Sequence, residues 1–113
     1  MSILSEIKTI LDGLKIPNET GIFKTKPAPD TFAVLVPMTD EAMCADDMPD
    51  AEVQSARIEL YTKGNYRAVA RSVADGALAA GMAITERRYI EHEDETGYHH
   101  YAVDLEKNYL WED

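Results

Sequence analysis

The hydrophobic period of the chain changes abruptly near its centre. Ala56, Ile58 and Leu60 alternate with polar residues, which indicates a strand over 52–62. After the break at 62–65, apolar residues recur at the spacing of a helix: Tyr66, Val69, Ala70, Val73 and Ala77. The sequence therefore predicts a strand that leads directly into a helix ending near residue 80.

Both ends of this central helix carry the residue types that begin and end helices. Asn65 is suited to cap the N-terminus with its side chain, and Gly81 is suited to end the helix in the left-handed conformation. A second amphipathic helix is predicted over 2–14, with Ser2 as its cap. Its apolar residues, three and four apart, are Ile3, Leu4, Ile7, Ile10, Leu11 and Leu14.

Two strands are predicted between these helices. Residues 21–24 are a candidate for a short one, and 31–37 is a continuously apolar, β-branched run that predicts a strand buried on both faces. Pro37 is expected to end that run, because proline removes a ladder donor.

The next segment, from Met38 to Glu52, is acidic throughout and predicted to be a loop. It contains no basic residue and six acidic ones: Asp40, Glu41, Asp46, Asp47, Asp50 and Glu52. Calcium binding is the alternative, since calcium prefers several carboxylates. The Asp-x-Asp-x-Asp-Gly spacing of calcium loops is absent, however, so the pattern favours a solvated acidic loop.

The C-terminal part predicts a hairpin of strands over 82–91 and 98–106, followed by an apolar tail over 107–113 that packs on this molecule or a neighbour. The element order is then α-β-β-β-α-β-β. This order predicts a two-layer α+β fold: a mostly antiparallel sheet of four to five strands with two helices on one face, in one domain over 1–113.

Composition excludes several classes of function. The net charge is −10, which disfavours binding to nucleic acid or to an anionic membrane, because both need clustered basic residues. No apolar run is long enough to span a membrane, and the N-terminus lacks the features of a signal peptide, so we expect a protein that is made and used in, or released from, the cytoplasm. The single cysteine, Cys44, excludes an internal disulfide.

The residues predict no catalytic site, metal site or cofactor. His92, His99 and His100 surround one turn, but His99 and His100 are adjacent in a strand and must point to opposite faces. We therefore expect exposed histidines rather than a zinc site. Arg87 and Arg88 are expected to form cross-strand ion pairs.

Four segments of the chain resemble a family of small prophage proteins from long-tailed phages of Gram-positive hosts. They are SILSEIKTIL, FAVLVPMTD, RIELYTKGNY and TERRYIEHEDETGYHHYAVDLEKNY, and they occur in that order over nearly the whole chain. The family is described as minor structural or tail-completion proteins, similar to tail terminators and head-tail joining proteins. The resemblance implies a non-enzymatic α+β subunit of a ring, usually a hexamer, at the head-proximal end of the tail tube.

This resemblance implies partners and a location. The partners are further copies of the chain, the tail-tube protein and the head-connector protein; the location is the host cytoplasm during assembly and then the head-tail junction of the virion. We expect the acidic segment (Asp40, Glu41, Asp46, Asp47, Asp50 and Glu52) to face the ring lumen, where it would repel DNA phosphates. Candidate subunit contacts are Arg57, Glu59, Tyr61, Tyr109 and Trp111.

Two other classes of function remain open. One is a small binding or regulatory module whose acidic segment recognises a basic protein partner. The other is a small metal-dependent enzyme built on the histidines.

Overall fold

A five-stranded sheet with two helices packed on one face forms the fold. The computed structural model describes residues 2–111; the predictions for Met1, Glu112 and Asp113 lie outside the described residues. The elements are helix α1 (Ile3–Gly13), β1 (Asn18–Thr20), β2 (Thr31–Ala45), β3 (Met48–Thr62), helix α2 (Tyr66–Ala79), β4 (Ala83–Glu93) and β5 (Tyr98–Leu110). Their order and the α+β class confirm the prediction.

The sheet order is β1-β2-β3-β5-β4. β1 is parallel to β2, and the other neighbouring pairs are antiparallel. β1 covers the outer edge of β2 only at Ala33–Leu35. None of the described helices is long and apolar enough to cross a membrane.

The main core lies between the sheet and the two helices. Ala56, Ile58 and Leu60 of β3 are at most 1% exposed, as their alternation predicts. They pack with buried residues of β5 and of both helices: Val103, Leu105, Ile7, Leu11, Val73 and Ala77. Burying apolar side chains of this size stabilises the fold by roughly 1.5–3 kcal/mol each before conformational entropy is subtracted.

The predicted helix caps are confirmed. Ser2 Oγ accepts a hydrogen bond from the Ser5 amide at 3.2 Å, and Asn65 Oδ1 accepts one from the Ala68 amide at 3.2 Å. Gly81, just after α2, has a φ of 84°, which is the left-handed conformation that glycine adopts without steric cost.

A smaller aromatic cluster covers part of the opposite face of the sheet, which we call the open face. Phe32 of β2 packs between Phe23 and Tyr61, with ring centroids 4.4 Å and 4.8 Å away, and Tyr98 meets its edge. The predicted strand over 21–24 is wrong. The short strand lies earlier, at Asn18–Thr20, and the following chain brings Phe23 over the sheet.

The predicted loop over Met38–Glu52 is also wrong. β2 continues through it to Ala45, and β3 begins at Met48, so only Asp46 and Asp47 form the turn. Their φ angles of 51° and 66° are the positive values of a two-residue hairpin turn that matches the twist of the strands. Aspartate tolerates this conformation better than most residues.

Pro37 does not end β2, contrary to the prediction. It lies at a register shift between β2 and β3, beyond the residues that β1 covers. A missing N–H is tolerated at a bulge on an edge strand, where no ladder bond is lost.

Candidate functional site

The most distinctive surface is a projecting β-hairpin, residues 38–54, which we call the acidic arm. It carries the six acidic residues that the sequence singles out, and its side chains from Met38 to Met48 are all exposed. With the arm, the molecule measures 54 × 24 × 23 Å. The end of β5 runs beside the arm, pairing Leu110 with Ala51.

Charge is distributed over both faces of the arm and its tip. Asp40 lies opposite Gln54, whereas its neighbour Glu41 lies opposite Val53 on the other face. Asp46 and Asp47 occupy the turn. Within residues 2–111, no ion pair involves the six acidic residues. Glu52 accepts a hydrogen bond from Gln54 Nε2 at 2.7 Å, and the charges of the other five are directed to solvent or to a partner.

The base of the acidic arm, where Gln54 of β3 pairs with Lys107 of β5, is bonded to both helices; we call it the root. Gln54 Oε1 accepts a hydrogen bond from the Ile3 amide at 2.8 Å, at the N-terminus of α1. Lys107 Nζ donates to Glu6 Oε1 at 2.9 Å and to the carbonyl of Ala80 at 2.7 Å, just after α2. The arm therefore leaves the body in a fixed direction.

The carboxylate of Glu6 is the centre of this root. Burial raises its pKa, but hydrogen bonds from Tyr109 and Lys107 outweigh that effect, so its pKa lies below the ordinary value. Burial and the neighbouring Glu6 both raise the pKa of Tyr109. At neutral pH, an ionised Glu6 thus accepts hydrogen bonds from a neutral phenol and from an ammonium group.

The two residues predicted as contacts at the end of the chain differ in position. Tyr109 is only 6% exposed and donates its hydroxyl hydrogen to Glu6, so it is a root residue and offers little surface to a neighbour. Trp111 is 48% exposed, and its amide donates to the carbonyl of Asp50 at 3.1 Å. It therefore lies on the surface beside the acidic arm.

The other three predicted contacts lie together on the open face and are engaged within the chain. Arg57 donates to both carboxylate oxygens of Asp104, at 2.7 Å and 3.1 Å. Glu59 Oε1 lies 3.3 Å from His100 Nε2, without the alignment of a hydrogen bond.

Tyr61 completes this group. Its ring stacks between Phe32 and His100, with centroid distances of 4.8 Å and 4.3 Å. Burial and the nearby acidic residues, Glu59 first, raise the pKa of Tyr61 to about 12. The hydroxyl is therefore neutral at physiological pH.

Sequence reasoning missed an apolar row on the acidic arm. Met43, Ala51 and Leu110 are directly opposite one another across β2, β3 and β5, on the same side of the ribbon as the open face. Met43 is 46% and Leu110 is 67% exposed. The sequence predicts a loop and a tail for these segments, and neither has a strand register. The alignment of the three residues could therefore not be predicted.

The histidines separate as the alternation predicts. The rings of His92 and His99 are 4.8 Å apart, whereas His100 stacks on Tyr61 across the sheet. The expectation of exposed histidines is confirmed for His92 but wrong for His100, whose side chain is only 12% exposed because it packs on that ring. His92 Nδ1 lies 2.9 Å from Asp94 Oδ1. Residues 2–111 contain no group of three or more histidine, cysteine or acidic side chains placed to hold a metal ion.

Comparisons with protein-family models and with curated proteins find no match for this chain.

Proposed function

We propose that this protein is a non-enzymatic subunit of a phage tail, a tail terminator or head-tail joining protein that forms a ring at the head-proximal end of the tail tube. The whole-chain resemblance suggests this role. The observation that carries it here is the acidic arm, because a rigid projecting ribbon without a basic residue suits contact with other subunits and repels DNA phosphates.

The test is to delete the gene from the prophage that encodes it and to induce phage production. We expect filled heads and tails that are not joined, or tails of irregular length, in electron micrographs. Expression of the wild-type protein from a plasmid should restore whole virions. Normal virions without the protein would contradict the proposal.

A triple variant tests the position of the acidic arm within the ring. Complementation with D46K/D47K/D50K should still give joined virions but slow DNA ejection, because lysines at a lumen would hold phosphates. The variant D12K/D94K/E95K, with the same charge change at exposed positions outside the arm, provides the matched control and should eject DNA like the wild type. Unchanged ejection kinetics in the triple variant would argue against a lumenal arm.

A second candidate function uses the same arm. An exposed acidic ribbon also suits a binding module for a basic protein partner. In that case, deletion would leave virion assembly intact, and the purified protein would retain a host protein in a salt-dependent manner.

A further inference from the structure

Positive charge is concentrated in one groove of this acidic protein. Four of the five arginines of the chain line the groove between α2 and β4: Arg67, Arg71, Arg87 and Arg88. All four side chains are exposed. Two of them meet carboxylates, Arg71 with Asp75 at 3.2 Å and Arg88 with Glu86 at 3.6 Å. Glu86 belongs to β4 like Arg88, so the cross-strand ion pair predicted for Arg88 is wrong. The four arginines outnumber the two carboxylates of the groove, Asp75 and Glu86, so its net charge of +2 can attract an acidic partner.

The groove is bordered by a strand edge with free backbone groups. β4 is the last strand of the sheet, so its outer edge over Ala83–Glu93 has no neighbour among the described residues. The outer edge of β2 is likewise free from Val36 to Ala45, beyond the short β1. Unpaired edges of this kind are suited to the addition of another strand.

The two free edges match in length, and the central arginine pair of one edge complements the acidic pair of the other. Both span about ten residues. The β2 edge carries Asp40 and Glu41 in a stretch that has no basic residue. The β4 edge carries Arg87 and Arg88 at its centre, with Glu86 before them and Glu91 and Glu93 after them. The two edges are different surfaces, so a contact between them joins copies head to tail.

We propose that the β2 edge of one copy pairs with the β4 edge of the next copy, so that each acidic arm lies along the arginine groove of its neighbour. This inference rests on the proposed ring and names its interface. The register that uses both edges in full places Glu41 opposite Arg88. Both residues belong to the open face, since Glu41 pairs with Val53 and Arg88 with Ala102.

The same register brings Asp40 close to Arg87 on the helix face. Asp40 pairs with Gln54 and Arg87 pairs with Val103, both on the side of the sheet that the helices cover. The two charge pairs therefore form on opposite faces of a single continuous sheet. Diagonal neighbours across a strand pair remain within reach of long side chains such as arginine.

Strand directions agree with this contact. Three antiparallel steps separate β2 from β4, so the two strands run in opposite directions within one copy. A rotation about an axis along the strands preserves strand direction. The joint is then antiparallel, and the helices of every copy lie on the same side of the sheet.

The stagger of the joint is suited to a closed ring. Glu41 pairs with Val53 of β3. Arg88 pairs with Ala102, which in turn pairs with Glu59 of β3. Placing Glu41 opposite Arg88 of the next copy therefore offsets neighbouring copies by six residues, from 53 to 59. Six residues measure about 20 Å along a strand, and the four strands from β2 to β4 that each copy adds to the continuous sheet are about 19 Å wide. This ratio corresponds to a strand tilt of about 46°, at the upper limit of the roughly 35–45° found in closed barrels.

Charge reversal on either side of the joint tests the interface. The experiment measures the mass of the purified protein by sedimentation velocity at low salt, up to millimolar concentration. We expect the wild type to associate, and D40K/E41K and R87E/R88E each to weaken association at least tenfold. An equimolar mixture of the two variants should associate again, because each reversed surface then meets a complementary one.

Two controls separate this contact from the effects of net charge and folding. K24E/K26E carries the same charge change as R87E/R88E at exposed positions away from the groove, and it should associate like the wild type. Recovery in the mixture shows that both reversed variants are folded. Raising the salt concentration should weaken association of the wild type, because exposed charges are screened.

The outcomes decide the interface independently of the biological role. A monomeric wild type, reversed variants that associate unchanged, or a mixture that stays monomeric would each overturn the proposed joint. If the mixture recovers but virions form normally without the protein, the joint stands and the tail function fails. If virions need the protein but are joined normally by R87E/R88E, the tail function stands and the joint fails.

Discussion

At the scale of single residues, Glu6 links the first helix to the last strand. Its side chain is 18% exposed and accepts hydrogen bonds from Lys107 and Tyr109. Glu6→Gln should lower the free energy of unfolding by about 1–2 kcal/mol at pH 7, because the hydrogen bonds lose their charged acceptor. Urea unfolding measures this change, and Asp12→Asn, an exposed change on the same helix, should cost less than about 0.5 kcal/mol.

The effect of Glu6 should depend on pH with a definite sign. Because the folded pKa of Glu6 is lowered, the unfolded state takes up the proton first as pH falls. The stabilisation is therefore complete above the unfolded pKa of about 4.3 and is lost as pH falls through the folded pKa. The difference in stability between wild type and Glu6→Gln should therefore shrink as pH falls from 7 towards 3; an equal difference at pH 3 and pH 7 would contradict this account.

The pair of Arg57 and Asp104 is the strongest ionic contact on the open face. Its side chains are 27% and 10% exposed, and the contact is bidentate. A double-mutant cycle with Arg57→Ala and Asp104→Ala should give a coupling energy of about 1–2 kcal/mol. The exposed pair of Arg71 and Asp75 on α2 should give less than about 0.5 kcal/mol in the same assay. Equal couplings would mean that burial does not strengthen the first pair.

At the scale of elements, α1 and α2 are in close contact at Gly76. A Cβ atom added there would lie 2.7 Å from Cγ2 of Ile10, which is attached to a stiff β-branched centre. Gly76→Ala should therefore lower the free energy of unfolding by about 1 kcal/mol, since overpacking of roughly 1–3 kcal/mol exceeds the gain in helix propensity of about 1 kcal/mol. Thermal unfolding measures it. Ser72→Ala, exposed on the same helix, should be neutral or stabilising; a stabilised Gly76→Ala would contradict the close contact.

The elements with one buried face were predictable, and the acidic arm was not. Ile58 and Leu60 alternate with polar residues because one side of β3 faces the helices, and this difference creates the pattern in the sequence. In the arm, both sides of the ribbon are exposed. Asp40 and Glu41 are therefore equally acceptable on opposite faces, and no period of two results.

The root of the arm could not be predicted for a different reason. Tyr109 and Glu6 are 103 residues apart in the chain, so no local spacing connects them. An aromatic residue near a chain end looks the same in sequence whether it binds a neighbouring copy or its own first helix. Only the register of β5 against β3 decides between these positions.

At the scale of the whole molecule, the fold predicts a gradient of local stability along its 54 Å length. Amide hydrogens in the centres of β3 and β5, around Ile58 and Val103, should exchange with solvent most slowly, because both strands have neighbours on each side. Those of the turn at Asp46 and Asp47 should exchange fastest. Hydrogen exchange followed by mass spectrometry tests this order, and protection at the turn equal to that of the core would contradict it.

The uninterrupted course of β3 from the tip of the arm into the core has a mechanical consequence. One strand carries both the exposed turn and the buried centre of the sheet, and β2 and β5 hold it on either side. A force that pulls the tip along this strand loads many ladder hydrogen bonds in shear at the same time, instead of opening them one by one. The arm therefore transmits a pulling force to the body without extending. Lys107 holds the base of the arm to both helices.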